Sequence, residues 1–182
     1  MTSDEELVER CRAGDRDAFK LLFERHRDSV YNLAFGISHS PETAEDITQE
    51  VFVKAYVGLS GFRGRARFKT WLYRIAVNQS LRARSVGSRR ADKEQPMEDV
   101  ILPSHEPEPG DAAERSEIER RVRGAIRELP PVQRAVVSLR YIEGLDLAEV
   151  AEIMGSPLGT VKSRVHHALK SMSLTLRDMR DA

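Results

Sequence analysis

Residues 91 to 111 divide this chain of 182 residues in two. They set Pro96, Pro103, Pro107, Pro109 and Gly110 among acidic residues, with little apolar periodicity. Proline has no backbone N–H to donate and glycine loses the most freedom on ordering, so neither a helix nor a sheet propagates through such a stretch. It reads as a semi-extended, mobile linker. On both sides of it, apolar residues recur at three- and four-residue steps, the period of an amphipathic helix. Nothing alternates strands with helices. The expectation is an all-α chain of two small helical domains, residues 1–90 and 112–182, joined by a flexible acidic linker at 91–111.

The first block opens with Ser3 and Glu6 at capping-box spacing, ahead of Leu7 and Cys11. Asp15, after Gly14, restarts a helix in which Phe19, Leu22, Phe23, His26, Val30, Leu33 and Ala34 share a face. Ser40-Pro41 is a helix start with a serine cap and proline at the first position. The helix it opens buries Ala44, Ile47, Val51 and Ala55, and a different face carries Asp46, Gln49, Glu50 and Val53. Residues from Phe68 to Arg84 form another helix, with Leu72, Ile75, Ala76 and Leu81 turned inward. In the second block Ile118, Val122, Ile126 and Leu129 form a stripe that Pro130-Pro131 closes. Pro131 opens the next helix, which Gly144 ends. Asp146 caps a short helix from Leu147 to Met154, Gly155 ends it, and Ser156-Pro157 starts the last one.

Formal net charge is zero, which by itself argues against a polyanionic partner. The distribution reverses that. Residues 91–119 hold ten acids and two bases, a net −8, so the remainder carries +8. From Phe62 to Ala91 there are nine bases and no acid, interleaved with Phe62, Phe68, Trp71 and Tyr73. Cations attract a phosphate backbone and release its counterions. Rings offer platforms for unpaired bases, worth about 1–3 kcal/mol each. The mixture points to melted or single-stranded nucleic acid. For Trp71 and Tyr73 singly, a plain core role explains the ring equally well.

A short helix, a tight turn at Gly155 and a second helix make a helix-turn-helix pattern. At 100° per residue, Val161, Val165, Ala168, Leu169 and Met172 share one arc of about 100°. Gly159, Ser163, His166, His167 and Lys170 lie opposite, flanked by Lys162 and Arg164, and no acid occurs from Gly155 to Arg177. Such a face suits a helix that enters a major groove.

Other chemistry finds little support. Asp46 and Glu50 lie one turn apart and could hold a magnesium ion, but no third ligand converges on them in sequence, and a face for a basic protein partner explains them better. His166 and His167 diverge by 100° and make a poor metal pair. Cys11 is the only cysteine, so there is no disulfide framework and no cysteine metal cage; a redox role stays open. The acidic start, Thr2-Ser3-Asp4-Glu5-Glu6, has no apolar signal region, and no apolar run approaches the roughly 20 residues needed to span a bilayer. A cytoplasmic protein without membrane insertion, metal or cofactor is expected. Of the competing classes, a response-regulator-type transcription factor would need a βα receiver domain, and a DNA-processing enzyme would need a nucleophile or metal carboxylates in a cleft.

The segments Asp46-Ile-Thr-Gln-Glu-Val-Phe-Val-Lys-Ala-Tyr56 and Phe68-Lys-Thr-Trp-Leu-Tyr-Arg-Ile-Ala76, with Asn78, resemble the second conserved region of bacterial sigma factors. Leu129-Pro-Pro-Val-Gln-Arg134, Tyr141, Glu149-Val-Ala-Glu-Ile-Met-Gly155 and Gly159-Thr-Val-Lys-Ser-Arg164 look like the fourth. With only a short tether between them, the chain resembles the extracytoplasmic-function type. The resemblance implies a non-enzymatic initiation factor that docks on core RNA polymerase through Asp46, Gln49, Glu50 and Val53. It implies melting of the minus-ten promoter element by Phe62, Phe68, Lys69, Trp71 and Asn78, with Arg63, Arg65, Arg67 and Arg74 on phosphates. Duplex reading at minus thirty-five falls to Pro157, Gly159, Thr160, Lys162, Ser163, Arg164, His166, His167 and Lys170. An anti-sigma partner is a further expectation from the family. The chain departs from the family at His167 and Leu169, where arginines are usual, and at Val77, where a base is common before Asn78.

Overall fold

The computed structural model describes residues 2–87 and 112–181; the acidic linker expected at 91–111 lies outside the described residues. The helices are α1 (Asp4–Arg12), α2 (Arg16–Ser38), α3 (Pro41–Gly58), α4 (Phe68–Gly87), α5 (Ala112–Glu128), α6 (Pro131–Val137), α7 (Leu147–Met154) and α8 (Leu158–Asp181). A short 3₁₀ turn, Leu59–Gly61, follows α3, and a π turn, Ser138–Ile142, extends α6. No strand occurs among the described residues.

Local chemistry sets most helix starts. Ser3 Oγ accepts from the Glu6 N–H at 3.2 Å while Glu6 returns a bond to the Ser3 N–H at 2.8 Å, closing the expected capping box. Asp15 caps α2 through the N–H groups of Asp17 and Ala18. Its carboxyl is held below the usual carboxylate range, first by the Arg10 guanidinium and then by the Ala18 N–H. Ser40 caps α3, with Pro41 in the first turn. Helix α2 is the axis of the first half, in contact with α1, α3 and α4. Leu7, Ala18, Leu22, Val30, Leu33, Val51, Phe68 and Leu72 are enclosed among these four helices. In the second half, α5 and α6 pack on α8, and α7 meets α8 across the Gly155 turn.

The two halves are docked. Helix α4 lies against α7, and α2 against α6 and the π turn. Ala135, Val136, Leu139, Val150, Ile153 and Val161 belong to the same apolar cluster as the first half, whereas Leu129, Val137 and Ala168 form a small cluster of their own. Ile118, expected in an inward stripe, is 53% exposed. Its helix is long and polar, and only the later positions of the stripe reach α8.

Candidate nucleic-acid interfaces

Helix α3 buries Ala44, Ile47, Val51 and Ala55 against α2 and α4, which turns Asp46, Gln49, Glu50 and Val53 to solvent. The expected face therefore forms. Glu50 is not a free carboxylate, because Gln79 of α4 donates its side-chain amide to it. Val53 is 64% exposed, and Tyr56 and Val57 extend the apolar strip at 50% and 72%. Three exposed apolar residues thus lie beside three acidic or polar ones on this face. Among the described residues no group of three or more histidine, cysteine or acidic side chains is placed to hold a metal. Val57 was not among the residues expected on this face; its position, four residues after Val53 on the same helix, is the signal that finds it.

The loop from Phe62 to Arg67 exposes Arg63, Arg65 and Arg67. Gly64 takes a φ of +64°, a left-handed turn that glycine adopts without penalty. Behind the arginines the rings of Phe62 and Trp71 lie 4.9 Å apart, those of Phe62 and Phe68 6.3 Å, and those of Phe68 and Trp71 5.9 Å. Trp71 is half-buried and rests on α3, where a Cβ at Gly58 would lie 3.1 Å from its ring. Phe68 needs correction as a base contact: it is 1% exposed, so its ring is core and supports the cluster from below. Beneath it sits the His26 ring at 5.6 Å, with Nε2 2.7 Å from Asp4 Oδ2. Arg25 Nη1 binds the other oxygen of that carboxylate at 2.5 Å. His26 is buried on the packed face of α2, as its place in the apolar stripe implies, and its tie to Asp4, 22 residues away, has no signal in sequence.

Further along α4, Tyr73 is fully enclosed and donates its hydroxyl to the Glu143 carboxylate in the second half. Burial pushes its phenol far above the ordinary tyrosine range, and the Glu143 charge pushes the same way. Lys69 Nζ sits 5.2 Å above the Tyr73 ring. Arg74 Nη2 donates to the Glu152 backbone carbonyl at 2.5 Å. Asn78 is exposed. Thus the structure brings Phe62, Trp71 and three arginines together at one end of α4, while Lys69 and Arg74 are turned to contacts with, or beside, the second half.

In the second half, Asp146 caps α7 in a reciprocal box with Glu149, and Gly155 closes it at a φ of +57°. Helix α8 starts at Leu158, slightly later than Ser156-Pro157 suggested, with the Val161 N–H bonded to the Pro157 carbonyl at 3.1 Å. Pro157, Gly159, Thr160, Lys162, Ser163, His166, His167 and Lys170 are all exposed, as expected of a reading face. Arg164 is half-buried and donates to Ser156 Oγ at 3.1 Å, which ties the turn to the helix. Leu169, expected inward, is 43% exposed. Cys11 lies half-buried at the end of α1, where burial first and Asp15 second push its thiol up, disfavouring the reactive thiolate.

Residues 22–101 match sigma-70 region 2 and residues 119–172 match sigma-70 region 4. The chain is 38% identical to the RNA polymerase sigma-H factor of Pseudomonas aeruginosa, over 97% of this chain and 95% of that protein. It is 33% identical to the extracytoplasmic-function (ECF) RNA polymerase sigma factor SigW of Bacillus subtilis, over 94% and 96%. To the ECF sigma-E factor of Escherichia coli strain K12 it is 36% identical, over 93% and 92%. Among solved structures, it is similar in fold to CnrH in complex with the cytosolic domain of CnrY, with a TM-score of 0.71 at 24% identity, covering 96% of this chain and 97% of that one. The sigma factor RpoE of Bartonella quintana, in complex with the anti-sigma factor NepR, gives a TM-score of 0.67 at 23% identity, covering 87% and 96%.

Proposed function

We infer how this chain works from the family to which it belongs, the ECF sigma factors of bacterial RNA polymerase. It directs promoter-specific transcription initiation together with core polymerase and is not an enzyme. The observation that carries the residue-level reading is the division of exposed surface among three helices. Helix α3 offers acids beside a bare apolar strip, the loop leading into α4 offers arginines around an aromatic cluster, and α8 offers an acid-free polar face.

Asp46, Gln49, Glu50 and Val53, joined by Tyr56 and Val57, dock the chain on core polymerase. Desolvating Val53 and Val57 supplies the non-directional part of that binding, and the acids select a basic partner. Arg63, Arg65 and Arg67 then hold phosphates while Phe62 and Trp71 receive an unstacked base of the non-template strand, with Asn78 exposed for hydrogen bonding along the same helix. Unstacking costs a few kcal/mol, which stacking and phosphate contacts offset. Lys69 and Arg74 join this set once they leave their present partners. In α8, Thr160, Lys162, Ser163, His166, His167 and Lys170 face the major groove of the minus-thirty-five duplex, and Gly159 lets the backbone approach. Residues 1–90 form the docking and melting unit, 112–182 the duplex-reading unit, and 91–111 the tether. The chain acts in the cytoplasm, where its polymerase is. No described helix is long and apolar enough to cross a membrane. An anti-sigma protein is a further partner, a reading supported by a fold neighbour solved in complex with one.

Co-purification with core polymerase tests the docking face. The Asp46→Arg/Glu50→Arg double variant is expected to lose core binding by at least about tenfold, since two attractive charges become repulsive. Unchanged binding places the interface elsewhere.

A further inference from the structure

Beneath the rings assigned to the unstacked base lies a polar contact that packing alone does not require. His26 of α2 is 6% exposed, and its Nε2 lies 2.7 Å from Asp4 Oδ2 on α1. An ionised carboxylate only accepts, so Nε2 donates. The second oxygen of Asp4 accepts from Arg25 Nη1 at 2.5 Å, and Arg25 Nη2 donates to the Thr2 carbonyl at 2.9 Å. Helix α1 has other anchors. Leu7 and Val8 are buried, and the Ser3–Glu6 box closes the helix start. Replacing a buried polar pair by apolar residues of like volume is often neutral or even stabilising, so such a pair orients groups more than it holds a fold.

The group it orients is Phe68. The His26 ring stands 5.6 Å from the Phe68 ring at an interplanar angle of 54°. Phe68 is the first residue of α4 and is 1% exposed, so its place sets where the helix leaves the arginine loop. Trp71, one turn on, and Phe62, at the other end of the loop, both pack on Phe68, at 5.9 and 6.3 Å. These two rings are only half-buried. Helix α1 also touches α4 and the Leu59–Gly61 turn that Phe62 follows. A line of contacts therefore runs from the start of α1 through Asp4, His26 and Phe68 to the two half-open rings. The imidazole is flat and pinned at one edge by the carboxylate, so it fixes the tilt of the ring above it, whereas an aliphatic side chain would fill the space without fixing a direction.

We propose that His26 and Asp4 are positioning residues for promoter melting: tied together, they hold Phe68 at the angle at which Phe62 and Trp71 receive an unstacked base. Helix α1, which lies before the stretch 22–101 that matches sigma-70 region 2, thereby takes part in opening. Neither residue needs to touch DNA. Both act through Phe68, and the effect falls on opening rather than on docking, which α3 carries. The proposal rests on the roles assigned above to Phe62 and Trp71.

The test uses the full-length chain as His26→Leu, as Asp4→Ala and as the double variant. Opening is read with core polymerase on a promoter that the wild-type holoenzyme selects from a random library. Each single variant should slow opening about tenfold at saturating polymerase, since a misplacement of about 1 Å can cost about 100-fold. Core binding should be unchanged. Trp71 is the only tryptophan in the chain, so its emission in the free chain reports on the ring cluster and should move to longer wavelength in both single variants. The double variant should be no slower than the slower single one, because both substitutions cut the same tie. Unchanged opening in either single variant, core binding that falls as far as opening does, or an unmoved Trp71 emission overturns the proposal. So does a double variant whose loss is the product of the two single losses. A wild-type holoenzyme that forms but selects no promoter overturns the roles of Phe62 and Trp71 instead, and the positioning role falls with them.

Discussion

In the first half, Leu22, Val30, Leu33, Phe68 and Leu72 lie in the large apolar cluster, whereas among the described residues of the second half Leu129, Val137 and Ala168 form a small cluster apart. Ala135, Val136, Leu139, Val150, Ile153 and Val161 of the second half belong instead to the cluster that it shares with the first. The contrast follows the tasks. On the proposed roles, a surface that captures an unstacked base must hold Trp71 and Phe62 in place while DNA pulls on them, and a packed bundle beneath them does so. A helix-turn-helix that reads an already formed groove needs its turn and caps more than a deep core.

The largest test of this asymmetry is Leu72→Ala. Deleting this side chain should cost about 2–5 kcal/mol and unfold the first half in a thermal melt. If the second half melts at the same temperature in that variant, the two share one cooperative unit; a retained second transition shows it has enough core to stand alone. Next comes Trp71→Ala, expected to remove about 1–3 kcal/mol of stacking and to slow promoter opening at saturating polymerase while leaving docking intact. A fluorescence opening assay with no loss would remove this ring from the melting role.

Gly155→Ala probes the second half alone. At its φ of +57° a Cβ costs about 1–2 kcal/mol, so duplex binding at minus thirty-five should weaken while binding to a single-stranded minus-ten oligonucleotide is unchanged. The smallest effect is on pH. Because folding raises the pKa of Tyr73, the docked arrangement is fully stabilised below the ordinary tyrosine pKa of about 10, and it loses about 1 kcal/mol per pH unit above that. Fluorescence energy transfer between labelled halves should therefore fall above that pH, and Tyr73→Phe should flatten the change. Tyr31 shifts the same way, by burial and the Glu45 charge, so only the part lost in the variant reports on the contact between halves.

Caps and turns were legible because they are local. Ser3, Asp15, Ser40 and Asp146 each bond to N–H groups two or three residues away, and Gly155 supplies its own left-handed turn. The buried face of α3 followed from its period, and so did the polar, acid-free face of α8. Leu169 lies at the edge of the apolar arc of α8, so Ala168 and Met172 beside it pack inward while it is 43% exposed.

What the residues alone determined is an all-α chain in two blocks, a basic-aromatic segment, and a helix-turn-helix. Spacing within one helix turn is enough to specify each. Tertiary structure decided which rings of that segment are surfaces: Phe68 and Tyr73 became core, and Phe62 and Trp71 stayed half-open. It also decided that Tyr73 finds Glu143, 70 residues away, and that Glu50 is held by Gln79, 29 residues away. Such partners are chosen by how whole helices pack, which depends on the sum of many small contacts, and no periodicity in one segment records the position of another.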